Sequence, residues 1–348
     1  MFSRKKDDEV TPATTRTGDD APTELASVSR EAGPDNPARL GGRGVVGALR
    51  RTAKQFSADS LTDWAAALTY YGVLSIFPGI LVIVSVLGLI GGNGQKTVQD
   101  AAHQLAPNGQ LRQLVDTVLD QVKQPGSAGI AAIIGIVLAF WSASGYVAAF
   151  MRASNTIYDI EEGRPIWKTA PIRLGVTIVL VLLLVVCAVA VVFTGELAQQ
   201  AGNVIGLGST FLTVWSIAKW PVLLAIVSFM FALLYWASPN AKQPGFRWVT
   251  AGGVVGVVLW LIASVGFAFY VASFGSYNKT YGALAGVIVF LVWLWISNVA
   301  TLLGAEFNAE LERGRQIEGG HPAEVEPFVE PRDTKKMSDE GKAQVSNR

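Results

Sequence analysis

Phe274-Gly-Ser-Tyr-Asn-Lys-Thr-Tyr-Gly-Ala-Leu-Ala-Gly286 is a polar turn between two apolar runs. Trp248–Val271 before it and Gly282–Ala305 after it carry no charged residue. Each run exceeds the ~20 residues a helix needs to cross a bilayer core. In hydrocarbon the backbone must satisfy its own hydrogen bonds, so such runs cross as helices. The glycines of the turn permit tight backbone, and Tyr277 and Tyr281 suit a membrane–water interface.

Working outward, the composition agrees. Hydrophobic residues make up 51% of the chain and charged residues 16%, where a soluble domain carries about 25% charged residues. A net charge of +1 gives no electrostatic case for nucleic-acid binding. Cys187 is the single cysteine, which excludes an intramolecular disulfide and suits apolar packing. Residues 1–44 and 314–348 are polar and punctuated by proline, and are expected to be disordered cytoplasmic tails. Residues 45–313 are expected to form one transmembrane domain.

The turn, Phe269-Tyr270-Val271 before it, Leu303-Gly-Ala-Glu-Phe-Asn-Ala-Glu-Leu311 after it, and Ala65-Ala-Ala-Leu-Thr-Tyr-Tyr-Gly-Val-Leu-Ser-Ile-Phe-Pro78 near the front resemble the YihY/BrkB membrane-protein family. The resemblance runs from about Thr52 to Arg313. It implies an integral inner-membrane protein of about six helices. Members also carry the labels ribonuclease BN and serum-resistance virulence factor, so the resemblance does not name a substrate.

The apolar pattern by itself predicts an all-α fold with six spans: residues 61–90, 128–153, 172–197, 210–237, 248–273 and 283–311. Val45, Val46, Leu49, Ala53 and Phe56 share a helical face ahead of the first span and predict a helix lying on the cytoplasmic leaflet. Ser60 with Asp63 is a capping-box signature. Between the first two spans, Leu111, Leu114, Val115, Val118, Leu119 and Val122 predict an amphipathic extracytoplasmic hairpin. Trp64, Trp215, Trp236 and Trp248 fall near span ends. Gly252 with Gly256, and Gly282 with Gly286, have the spacing that lets helices approach closely. Lys and Arg are concentrated in the segments holding Arg50–Lys54, Arg152–Arg173, Lys242–Arg247 and Arg313–Arg315, and are sparse at Lys96, Arg112, Lys123 and Lys279. That asymmetry predicts both termini in the cytoplasm.

No site for enzyme chemistry is legible. His103 and His321 are the only histidines, and no His/Asp metal cluster, Ser-His-Asp set, phosphate loop or cofactor fingerprint is present in the sequence. The reading is therefore not an enzyme, with no cofactor and no nucleic-acid partner. Ionisable and polar groups at membrane depth carry more weight, because such groups are expensive there and face a protein interior. Lys219 is placed to pair with Glu196, or to reach the interface. Glu306 and Glu310 are placed to pair with Arg152 or Arg50. Asn298 and Ser297 lie near mid-membrane. Pro78 and Pro221 interrupt the first and fourth spans at similar depth, with Tyr71 and Ser75 before one and Ser216 and Lys219 before the other, as broken helices do in inverted-repeat transporters. Tyr71, Ser75, Pro78, Lys219, Pro221, Asn298 and Glu306, with the signature residues Tyr277, Asn278 and Tyr281, are the candidate site. Two functions stay open: a transporter of a small solute or lipid, which a polar cavity at Tyr71, Ser75, Asn298 and Glu306 favours, and a non-transporting envelope protein with a structural or surface-resistance role, which a solidly packed bundle favours.

Overall fold

The computed structural model describes residues 40, 42–89, 128–192, 208–243, 245–273 and 283–346. Among these residues the protein is all helical apart from one isolated bridge between Ala241 and Pro331. The helices are α1 (Gly42–Ala58), α2 (Leu61–Leu89), α3 (Ala128–Ile157), α4 (Ile166–Val192), α5 (Gly208–Ala237), α6 (Phe246–Ser273), α7 (Ala283–Glu318) and α8 (Asp339–Ser346). The expected hairpin of residues 91–127, nearly all of the N-terminal tail and the turn at residues 274–282 lie outside the described residues.

Among the described residues, four stretches are long and apolar enough to cross a membrane: Ile166–Val191, Thr213–Ala237, Val249–Ala272 and Gly286–Glu318. α2 and α3 are helices of 29 and 30 residues. Pro171 and Pro221 lie inside α4 and α5. Each removes one backbone donor, which neighbouring groups can offset in a packed membrane bundle. The gap expected between the spans 128–153 and 172–197 is shorter in the structure, because α3 runs on to Ile157 and α4 starts at Ile166. Pro165 sets that start, with its carbonyl accepting from the N–H groups of Lys168 and Thr169.

Consecutive helices from α2 to α7 are neighbours, and α7 packs back on α2, so the six form a closed ring. A close seam joins α6 to α7. A methyl added at Gly304 would sit 2.5 Å from the Tyr235 hydroxyl, 2.8 Å from the Gly256 Cα and 3.1 Å from the Gly252 carbonyl oxygen. Gly252 and Gly256 are thus the flat face that lets α7 approach. Gly286 faces open space instead. Indole hydrogen bonds cross the same seam, from Trp260 Nε1 to Ser297 Oγ (3.1 Å) and from Trp293 Nε1 to Ser264 Oγ (3.3 Å).

The surface is apolar where a soluble protein is polar. Trp141, Val265 and Phe269 are 74%, 70% and 76% exposed, while Glu306, Asn298 and Asn308 are buried. That arrangement suits hydrocarbon as the surrounding solvent, since a contiguous apolar exterior in water drives association. The chain is a membrane protein.

One end of the ring is polar. The joint of α1 and α2, the α3–α4 loop, the α5–α6 turn and the C-terminal part of α7 all meet there. Asn240 N–H donates to Asn155 Oδ1 (2.7 Å), Arg164 to the Ser238 carbonyl (2.7 Å), and Asn308 Nδ2 to the Tyr158 hydroxyl (3.1 Å). α1 packs against α7: Ala48 sits with Leu40, Phe307 and Leu311, leaving Val46 and Leu49 outward.

The structure also corrects the expected C-terminal disorder. α7 continues to Glu318, and residues 319–346 fold back across the polar end. Phe328, Val329 and Met337 are 2%, 1% and 5% exposed. Polar composition masked these three anchors. Backbone bonds tie the tail to the α5–α6 turn, from Lys242 N–H to the Glu330 carbonyl and from Arg332 N–H to the Asn240 carbonyl, both 2.7 Å. Arg332 also lies over the Trp236 ring, and Lys168 pairs with Asp333 at 2.6 Å. His321 is buried in this tail, with Nδ1 2.8 Å from the Pro322 carbonyl.

Candidate functional site

α2, α3 and α7 meet at a polar knot within the apolar bundle. Asn298 Nδ2 donates to Thr69 Oγ1 (3.0 Å), and Asn298 Oδ1 accepts from the Tyr146 hydroxyl (2.9 Å). Thr69 passes its own hydroxyl hydrogen to the Ala65 carbonyl (2.7 Å), which completes the chain within α2. Asn298 is 3% exposed. A buried amide that already has partners on two helices ties them together, and at this burial it does not line a water-filled passage.

Outside the knot, the α2/α7 contact opens into a groove of ≈ 450 Å³ lined by Ala66, Thr69, Tyr70, Val73, Leu291, Val292 and Trp295. Its volume falls in the range of ligand sites, about 300–1,000 Å³. Thr69 and Tyr70 carry its hydroxyls; that of Thr69 is committed to the knot, and Tyr70 stands at the rim. The rest of the lining offers dispersion contact. Tyr70 is 61% exposed at the rim, and Trp295 directs Nε1 to the Thr62 carbonyl (3.3 Å), fixing the ring across the groove. The groove lies where the first and last helices of the ring close.

The other expected site residues are dispersed. Tyr71 packs half-buried against Gly145 of α3, and Ser75 Oγ donates to the Tyr71 carbonyl (2.7 Å); the hydrogen bonds of Asn298 go to Thr69 and Tyr146 instead. Pro78 lies within α2, with side-chain surroundings outside the described residues. Pro221 is exposed on α5. Lys219 stands over the Trp220 ring at 5.4 Å; Glu196, its expected partner, lies outside the described residues, as do Tyr277, Asn278 and Tyr281.

At the polar end, the expected pairing of Glu306 and Glu310 with Arg152 or Arg50 is corrected. Arg51 takes Glu310, through Nε to the carboxylate and through a second nitrogen to the backbone carbonyl at 2.9 Å. Arg50 and Arg152 point outward. The helical face set by Ala48 against α7 places Arg51, three residues on, at the acidic end. Glu306 is 1% exposed, and its carboxyl lies against that of Asp59. Burial first, then the charge of Asp159, pushes the Asp59 carboxyl up to about 6, with the neighbouring Glu306 carboxyl acting the other way. Burial also raises Asp159, against the pull of Arg313. Glu326, which pairs with Arg313, rises to about 7, chiefly from burial. Burial would raise Glu162 too, but the hydrogen bonds and charge of Arg164 hold it below the usual carboxylate range.

An all-helical membrane ring with Gly252, Gly256 and Gly304 in one seam, and Asn298 tying three helices, is the setting for the comparison with known proteins. Residues 52–327 match the family described as virulence factor BrkB. The chain belongs to that family. The matched region ends at Pro327, so most of the docked tail follows it. Among curated relatives, the ribonuclease-like protein YfkH of Bacillus subtilis (strain 168) is 31% identical over 274 residues, covering 79% of this chain and 98% of that protein. A UPF0761 membrane protein of Aeromonas salmonicida (strain A449) is 29% identical over 263 residues, 73% of this chain and 85% of that one. A UPF0761 membrane protein of Alkalilimnicola ehrlichii is 28% identical over 275 residues, and this chain spans 57% of its length. No solved structure matches.

Proposed function

We propose that this BrkB-family protein is a six-span inner-membrane protein that carries a lipid along the α2/α7 groove, with both termini in the cytoplasm. The carrying observation is the groove itself: mainly apolar, open to the side, and sited at the closure of the ring. An acyl chain is the ligand whose chemistry fits such a lining, because it asks for dispersion contact and no hydrogen bonds. The saturated knot at Asn298 supports a route along the protein surface over a polar channel through the middle. The meeting of the α1–α2 joint, the α3–α4 loop, the α5–α6 turn and the end of α7 at one polar end supports three out-and-back passages. The same end holds Arg51, Arg164, Lys168, Lys242 and Arg313, which fits the positive-inside rule. Among the described residues no three His, Cys, Asp or Glu side chains are grouped to hold a metal, which supports leaving ribonuclease chemistry aside.

The experiment is lipid translocation in proteoliposomes, with Val73→Trp and Val292→Trp filling the groove. Transport by the native chain that both substitutions abolish, with folding intact, is the expected result. A second reading, a non-transporting envelope protein, draws on the same sealed knot and glycine seam; it is the outcome if the native chain moves no lipid. Orientation is read separately: thiols introduced at Asn108 and Ser276 should react with an impermeant reagent from outside, and one at Ser238 should not.

A further inference from the structure

Among the described ion pairs of the polar end, none includes the buried Glu306. Glu306 and Glu310 lie one turn apart on α7. Glu310 takes both nearby guanidiniums, Arg51 from α1 and Arg313 from its own helix at 3.6 Å. Glu306 Oε2 has no hydrogen-bond partner, although the residue is 1% exposed. The carboxyl that Glu306 does meet is Asp59, at the joint between α1 and α2. The groups facing this pair are Asp159 and the Tyr158 hydroxyl from the α3–α4 loop and Glu310 from α7; Glu326 of the tail faces Asp159 and is held by Arg313.

A hydrogen bond between two carboxyl groups requires a proton on one of them, since an ionised carboxylate only accepts. A metal ion asks for more: a hard divalent cation takes six or more oxygens at Ca²⁺ sites, and no group of three metal-ligating side chains is present among the described residues. A proton needs only the two facing oxygens. We propose that Asp59 and Glu306 form a proton-binding site, in which one shared proton holds the α1–α2 joint against α7. Releasing that proton to solvent breaks the carboxyl O–H bond and leaves two anions side by side, with Asp159 and Glu310 adding to the repulsion. The relief is separation. Ser60, next to Asp59, sits at φ +51°, a left-handed conformation that residues with a side chain seldom adopt, and it marks the joint between the two helices. Proton occupancy then sets how closely α1 lies on α7. The site stands whether or not the groove carries lipid.

The test uses the full chain purified in detergent and titrated from about pH 5 to about pH 9. Infrared absorption of protonated carboxyl groups should show a band that titrates in the native chain and is lost in both Glu306→Gln and Asp59→Asn. Thr52 is buried on α1, so a thiol in a Thr52→Cys, Cys187→Ser background reports α1 lifting away. Its alkylation rate, normalised to the unfolded chain at each pH, should rise across the titration. It should stay low when Glu306→Gln is added, because the amide N–H replaces the shared proton. If Glu306→Gln does not fold, Asp59→Asn carries both readouts. A band unchanged by either substitution overturns the proposal. So does a band removed at constant pH by sodium, magnesium or calcium, which would make this a cation site. A titrating band with flat alkylation overturns the holding of the joint.

Discussion

Replacing Gly304 with Ala probes the seam on which the ring depends. The added methyl would meet Tyr235 Oη at 2.5 Å, Gly256 Cα at 2.8 Å and the Gly252 oxygen at 3.1 Å. Two of these three neighbours are backbone, so a rotamer change cannot clear them and α6 must move off α7. Overpacking of this kind costs about 1–3 kcal/mol. Displacing Tyr235 also strains its hydrogen bond to the Thr301 carbonyl, 2.7 Å long, worth about 0.5–1.5 kcal/mol. Against this, Ala gains up to about 1 kcal/mol of helix propensity over Gly. The net is a loss of roughly 1–3 kcal/mol. Gly266 in α6 is the control, because its added methyl meets nothing within 4 Å; there only the propensity gain remains. Thermal unfolding of both variants in the same detergent reads the difference. At roughly 2–4 °C per kcal/mol, Gly304→Ala should melt several degrees below Gly266→Ala. Equal melting temperatures would refute the close approach of α6 and α7.

Three further outcomes are expected. Tyr146→Phe removes one bond of the knot and should cost about 0.6 kcal/mol, while Asn298→Ala removes both and should cost about 1–2 kcal/mol, read as unfolding in mixed micelles; no loss in either would mean the knot is not formed. Asp59 and Glu326 are raised in the folded chain, so their stabilising contribution is complete below their ordinary values and is lost as pH rises through about 6 and about 7; a pH series of melting temperatures should fall across that window, and Asp59→Asn should remove a part of the fall worth about 1 kcal/mol after solvent screening. Deleting residues 328–348 uncovers the faces buried under Phe328, Val329 and Met337, each worth about 1.5–3 kcal/mol when fully buried; a lower melting temperature and faster proteolysis of the α3–α4 loop are expected, and an unchanged profile would contradict the docked tail.

The helices were legible because apolar runs of this length have one viable form in hydrocarbon. The boundaries at Leu61, Ala237 and Ser273 follow from where charge or turn chemistry resumes. Gly252 and Gly256 were legible as a packing face, but their counterpart Gly304 was not, since closeness between distant helices is set by the ring closure. Asn298 stood out as a polar residue at depth; Thr69 and Tyr146, its partners, sit 229 and 152 residues away in sequence. Asp59 carried no sequence signal of its own, because nothing local tells that Glu306 lies against it. The tail was hidden by its composition: three apolar anchors among many charged and proline residues average to a disordered signature, while the surface that receives them is invisible in one dimension.

The lipid groove is tested most directly by photo-crosslinking in the native membrane. A photoreactive side chain at Val292, inside the α2/α7 groove, is compared with one at Val265, exposed on the outer face of α6. After solubilisation and washing in detergent, illumination and mass spectrometry should find a phospholipid adduct through its acyl chain at Val292 and little or none at Val265. Equal yields at the two positions, or none at Val292, would contradict a lipid held between α2 and α7.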